Sequence, residues 1–181
     1  MILVAGIGNI FLGDDAFGCE VAQRLAQRPL PQDVKVVDFG IRGLDLAYAL
    51  LNDHEMVILV DAATRGGTPG SIYVIEPDLD ENEPEMLDAH SMNPMRVLAL
   101  ARSMGALTHV RIVGCEPESC GPPDQGRMGL SPAVAAAVET AIETIESLVE
   151  LWPRSITDMN ECRQTSAIST RQSPICNIRL H

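Results

Sequence analysis

At 181 residues the chain fits one domain that can bury a proper core, and with 46% hydrophobic but only 3% aromatic residues that core has to be aliphatic. A formal net charge of −12 argues against a nucleic-acid partner, which needs Lys and Arg to neutralise phosphates, and Lys35 is the only lysine. No apolar run approaches the length of about 20 residues that spans a bilayer, and the amino-terminal run lacks the basic preface of a signal peptide.

Ile2 to Ile7 is an unbroken apolar run ending in a glycine-rich turn, which predicts a central strand buried on both faces of a parallel sheet. Gly6, Gly8 and Asn9 allow a tight turn, and Phe17, Val21, Ala22 and Leu25 fall at helical spacing, so a first helix is expected over 16–25. Between strand and helix lie Gly13, Asp14 and Asp15. Gly6-Ile7-Gly8 invites a dinucleotide reading, but position 11 is Phe where that fingerprint needs glycine, and Asp14 and Asp15 would repel a pyrophosphate.

Pro29 and Pro31 break the first helix, and Val34 to Phe39 predicts a second strand with Asp38 near its end. Leu44, Leu46, Ala47, Leu50 and Leu51 follow as one amphipathic helix, and Met56 to Val60 as a third strand closing on Asp61. This alternation specifies an α/β fold: a three-layer, mostly parallel, doubly wound sheet with helices on both faces. Ser71 to Ile75 follows only a short turn-rich loop and is expected to run antiparallel at or near an edge.

The acidic run Glu76 to Asp88 reads as a solvated loop that delivers the chain to His90. Met92 to Met104 predicts a helix, His109 to Gly114 a strand, and Ser131 to Leu151 a long helix beginning on Ser131-Pro132. The intervening loop is dense in proline and glycine around Glu116, Glu118 and Ser119, and should sit at the same sheet edge as Asp15 and Asp61. The expected domain is 1–152. The polar tail 153–181 has no periodicity and is expected to be largely disordered. Five cysteines without C-x-x-C spacing suggest neither a disulfide framework nor a thiolate metal site, and a reducing cytoplasm fits them. Cys19 and Cys115 read as small buried hydrophobes.

With the common strand order 2-1-3-4-5, strands one and three are neighbours and the crevice between them is the usual ligand site of such sheets. Asp15 and Asp61 then face that crevice and His90 can reach it. Two carboxylates and an imidazole suit a borderline divalent ion such as nickel or zinc, or equally an acid/base set. Asp14 is read as the cap of the first helix, and Asp38 as either a turn former or a carboxylate supporting the site from behind. His54, His109 and His181 are assigned no role.

The stretches GIGNIFLGDDAFG, DFGIRG, VILVDAA with GGTPGSIYV, AHSM, and GCEPES followed by GLSPAVAAAVE resemble, in order, those of the hydrogenase maturation endopeptidases. The likeness covers residues 1 to about 150, with Phe39 and Ile41 standing where that family often has Gly and Thr. It implies removal of a C-terminal extension from the precursor of a nickel-iron hydrogenase large subunit after nickel insertion. By motif it also implies Asp15, Asp61 and His90 as catalytic and metal-contacting residues, the nickel being carried by the precursor. A non-cleaving accessory protein or chaperone for the same precursor would share every one of these ligands.

Overall fold

The computed structural model describes residues 1–77, 94–106, 109–120 and 126–152. The strands are β1 (Ile2–Ile7), β2 (Val34–Gly40), β3 (Met56–Ala62), β4 (Ile72–Ile75) and β5 (His109–Cys115). The helices are α1 (Phe17–Leu25), α2 (Gly43–Ala49), α3 (Pro94–Ser103) and α4 (Pro132–Leu151), with a 3-10 turn at Gly13–Ala16. Every residue of β1 and the first six of β3 are buried, as a strand covered on both faces requires.

Successive strand residues point to opposite faces and so divide the core in two. On one face Ile2, Val4, Ile58 and Val60 meet Phe17, Val21 and Leu25 of α1 and Val134, Val138, Ile142 and Ile145 of α4. On the other, Leu3, Ala5, Val57 and Leu59 meet Leu46 and Leu50 of α2 and Val97, Leu98 and Ala101 of α3. Burying one such aliphatic side chain contributes about 1.5–3 kcal/mol, so the two layers carry the fold without aromatic bulk. The expected amphipathic helix at α2 is real, but only Leu46, Ala47 and Leu50 face inward, while Leu44 and Leu51 face solvent.

The sheet order is β2-β1-β3-β5-β4, with β1, β2, β3 and β5 parallel and β4 antiparallel to β5. The α/β class and the β1–β3 adjacency are as expected, whereas the last two strands exchange places relative to the order 2-1-3-4-5. The reason is the connection after β3. Loop 63–71 holds no helix, and a parallel partner needs a crossover of a dozen or more residues, usually helical. The chain therefore turns back into β4 at the edge, and β5, arriving after α3, pairs parallel with β3 and fills the place between them.

The helix that follows β1 packs unusually close. A Cβ on Gly6 would lie 2.3 Å from the Gly18 carbonyl oxygen, and one on Gly18 would lie 2.0 Å from that of Val60. The glycine that lets the first helix press onto the strands is thus Gly18, inside α1, and position 11 carries an exposed Phe. The tail 153–181, most of the acidic run from 78 onward, and His90 lie outside the described residues.

Candidate functional site

The order in which strands are added reverses between the parallel neighbours β1 and β3, and their carboxyl ends, with Gly6 beside Val60, open the crevice. Beyond β1, Gly8 sits at φ +136°, and a Cβ there would lie 1.8 Å from the Asp15 carbonyl oxygen. Only glycine permits that approach. The turn folds Asp15 back over the strand end, where the Asn9 backbone N–H donates to Asp15 Oδ2 at 2.7 Å. Asp61 is reached at the carboxyl end of β3, 7% exposed, its Oδ1 accepting the Ala62 N–H at 2.9 Å.

Burial raises the Asp15 carboxyl above its ordinary range against the help of the Asn9 N–H. Asp61 is pushed up to about 8, first by burial and then by the negative charge of Asp15, which the Ala62 N–H only partly offsets. Two carboxylates therefore sit within electrostatic reach of one another in a poorly hydrated place, and one of them holds a proton near neutral pH. Such a pair can act as acid and base. It also fits a divalent cation, which would relieve both the burial and the like-charge penalty; Asp15 and Asp61 are the residues that would hold it. Among the described residues no group of three His, Cys, Asp or Glu side chains could hold a metal, and the expected third member, His90, lies outside them.

Asp38, at the end of β2, accepts the Gly40 N–H through Oδ1 at 3.0 Å and the Gln23 amide through Oδ2 at 2.9 Å. Turn chemistry is thus what its carboxylate performs, while its charge reaches toward the crevice through Cys19. That thiol is buried, donates to the Gly8 carbonyl at 3.4 Å, and is pushed up to about 12 by burial and by the nearby carboxylates of Asp38, Asp15 and Asp61. Cys19 is a neutral packing group, as its residue type suggested. Cys115 is likewise buried and raised to about 12, chiefly by burial.

Two further carboxylates organise the crevice walls. Asp14 does not cap α1: no side-chain cap bond exists at the 3-10 turn or at the helix. Its carboxylate instead accepts the backbone N–H groups of Glu118 (2.9 Å), Ser119 (3.0 Å) and Ser131 (2.6 Å). Burial pushes its pKa up, and these bonds more than reverse that, leaving it below the ordinary value. Glu116, buried at the end of β5, accepts the N–H groups of Arg65 (2.9 Å) and Gly66 (3.1 Å) and the Tyr73 hydroxyl (2.9 Å), which fixes the loop leaving Asp61. Sequence reasoning noticed Glu116 only as a member of a loop. The usable signal was a glutamate directly after an apolar strand, at the sheet edge already holding two aspartates.

A three-layer α/β sheet with a buried Asp61 beside a half-buried Asp15 at its β1/β3 switch point defines the structural class. Within it, a family model for hydrogenase maturation protease matches residues 19–148. The chain is 37% identical over 146 residues to a putative hydrogenase maturation protease of Methanocaldococcus jannaschii, covering 80% of this chain and 93% of that protein. It is 32% identical over 164 residues to the hydrogenase 2 maturation protease of Escherichia coli, covering 84% and 96%. Among solved structures, the hydrogenase maturating endopeptidase HybD from Escherichia coli superposes with a TM-score of 0.66 at 28% identity, covering 82% of this chain and 91% of that one. A hydrogenase maturation protease HycI from Thermococcus kodakarensis does so with 0.63 at 26% identity, covering 82% and 92%. The chain belongs to the hydrogenase maturation proteases, and it is a peptidase.

Proposed function

We propose that the chain removes the C-terminal extension of a nickel-iron hydrogenase large-subunit precursor once nickel is in place, and that it reads that nickel with Asp15, Asp61 and His90. The observation that carries this is the placement of Asp61: buried at the carboxyl end of β3 with only the Ala62 N–H on its Oδ1 and the charge of Asp15 nearby, it is a carboxylate whose burial and like-charge neighbour a cation would relieve. Two oxygen donors and one imidazole form an incomplete shell, so they add to a metal already held by the substrate without stripping it away. Nickel is accordingly part of the substrate. No helix among the described residues is long and apolar enough to cross a membrane, and the free thiols Cys19 and Cys115 suit a reducing cytoplasm. The peptidase family leaves the non-cleaving accessory reading without an observation in its favour.

The test is the intact mass of a nickel-loaded large-subunit precursor before and after incubation with the protein, beside a nickel-free control. Loss of one defined C-terminal peptide from the loaded sample alone is the expected result. Equal cleavage of both samples overturns nickel recognition, and full processing by Asp61→Asn or His90→Ala overturns the residue assignment.

A further inference from the structure

Helix α2 is apolar on the side where a surface helix is normally polar. Its inward residues Leu46, Ala47 and Leu50 are buried, yet Leu44 and Tyr48 are 66% and 62% exposed, Leu51 just past its end is 39% exposed, and Ile41 just before it is 65% exposed. These four fall at the helical spacing 41, 44, 48, 51 and form one solvent-facing stripe. Ten steps of 1.5 Å from Ile41 to Leu51 make it about 15 Å long. The charges beside it, Arg42 and Asp45, pair with each other at 3.7 Å and leave the stripe itself uncharged.

The stripe begins at the crevice. Ile41 follows Gly40, whose carbonyl accepts the N–H of Gly8, the residue on which Asp15 is folded back. On the Gly8 side, Ile10 and Phe11 of the same crevice loop are exposed as well. Exposed apolar residues thus stand on both sides of the Gly8–Gly40 hydrogen bond, on the crevice loop and down the outside of α2. Contiguous exposed apolar surface rimmed by polar residues marks an interaction site. Together with the exposed Ile10 and Phe11 the stripe suits one part of a protein footprint of about 800 Å² on each partner.

We infer that this strip is where the folded body of the substrate precursor seats, through an apolar patch of its own beside the C-terminal extension, so that docking and cleavage use one continuous surface. The inference rests on the proposed reading that the substrate is a hydrogenase precursor. The occupant is a folded protein because the strip continues the mouth through which the substrate must approach. It is apolar because Ile41, Leu44, Tyr48 and Leu51 carry no charge and the Arg42 and Asp45 beside them pair with each other.

The experiment compares wild type with Leu44→Asp/Tyr48→Asp and with Leu44→Lys/Tyr48→Lys, each first shown to keep the wild-type urea midpoint, as exposed positions should. Cleavage of the nickel-loaded precursor is followed by intact mass, and its dissociation constant is measured on Asp61→Asn backgrounds. Both double variants are expected to raise KM and Kd about tenfold or more with kcat within about twofold, the pattern of a lost docking contact of hot-spot size. An effect from only one sign of charge, or none while wild type cleaves, overturns the docking surface and leaves the proposed function standing. Light scattering that shows a dimer broken by both variants, with KM unchanged, assigns the strip to a second copy and overturns it too. If the precursor is bound and not cut, the proposed cleavage fails and the Kd comparison alone decides the docking surface; if it is neither bound nor cut, both fall.

Discussion

Asp14 Oδ1 accepts the backbone N–H of Ser131 at 2.6 Å, joining the turn that carries Asp15 to the residue preceding α4, 117 positions later in the chain. The other oxygen takes the N–H groups of Glu118 and Ser119. One carboxylate therefore satisfies three main-chain donors, and a buried donor left without a partner costs about 1–3 kcal/mol. Asp14→Ala is expected to lower stability by about 3 kcal/mol or more in urea titration, and Asp14→Asn by a smaller amount, because the amide presents one acceptor and one opposing donor. A midpoint for Asp14→Ala equal to that of wild type would show that the loop closes without the clamp.

Glu116 gives the acid limb of stability. Its carboxyl is raised by burial but lowered, on balance, by the Arg65 N–H, the Tyr73 hydroxyl and the Gly67 and Gly66 N–H groups, so its native pKa lies below the ordinary 4.5. A depressed carboxyl stabilises the fold fully above the unfolded pKa, and that contribution disappears as pH falls through the native one. Wild type should lose stability between about pH 5 and pH 3 more steeply than Glu116→Gln, with the gap between the two midpoints narrowing toward acid. Parallel curves down to pH 3 would remove Glu116 as the source.

How far these features are legible in the sequence depends on how local their causes are. The strands β1 and β3 announce themselves because burial on both faces forces an unbroken apolar run, and Asp61 is legible because it stands at the end of one, whereas Asp15 lies eight residues past β1 in the 3-10 turn and shows only as part of a Gly-Asp-Asp cluster between strand and helix. Asp14 was misread as a helix cap because the nearest N–H groups in sequence are those of α1, while the ones it serves lie 104 to 117 residues away. Glu116 shows the same limit: its partners around Arg65 and Gly66 lie 51 and 50 residues earlier. The outward face of α2 was equally hidden, since Leu44, Leu46, Ala47, Leu50 and Leu51, five residues in eight positions, do not say which three meet the sheet. The place of β5 between β3 and β4 follows from loop 63–71 being too short to cross over, a constraint on connections that periodicity does not express.

Gly18 is a position where one methyl group is expected to undo the packing of a whole layer. A Cβ there would meet the carbonyl oxygens of Val60 and Ile7 at 2.0 and 2.3 Å, and both belong to central strands that cannot retreat without breaking the ladder. Helix propensity favours alanine over glycine by about 1 kcal/mol, so a simple propensity argument predicts that Gly18→Ala stabilises α1. Sterics win here, because the clash is with backbone on two strands. Overpacking of this kind costs about 1–3 kcal/mol or more, and the variant should show a lowered midpoint or fail to accumulate as folded protein. A variant as stable as wild type would mean that α1 stands further from the sheet than the structure places it.

Asp61 should be costly to the fold and indispensable to the reaction. An unfolded Asp ionises near 3.8, whereas the buried carboxyl beside Asp15 keeps its proton to about 8. A raised acid is destabilising where the unfolded chain has lost the proton and the native one resists losing it, so the penalty begins near pH 4, grows up to about pH 8 and stays constant above. Asp61→Asn keeps the shape and cannot ionise. In chelator-treated protein the variant should match wild type near pH 4 and exceed it above pH 8, by an amount on the order of a few kcal/mol, as thermal melts across that range will show. The same substitution should lower processing of the nickel-loaded precursor by about a hundredfold or more, the scale seen when a preorganised electrostatic partner of the reacting centre is removed. Gain of alkaline stability with loss of cleavage is the mark of a residue kept for chemistry against the interest of folding. If the melting curves of the two proteins stay parallel from pH 4 to pH 9, the pair is hydrated and Asp61 titrates as an ordinary carboxylate; if cleavage survives, the crevice acts without it.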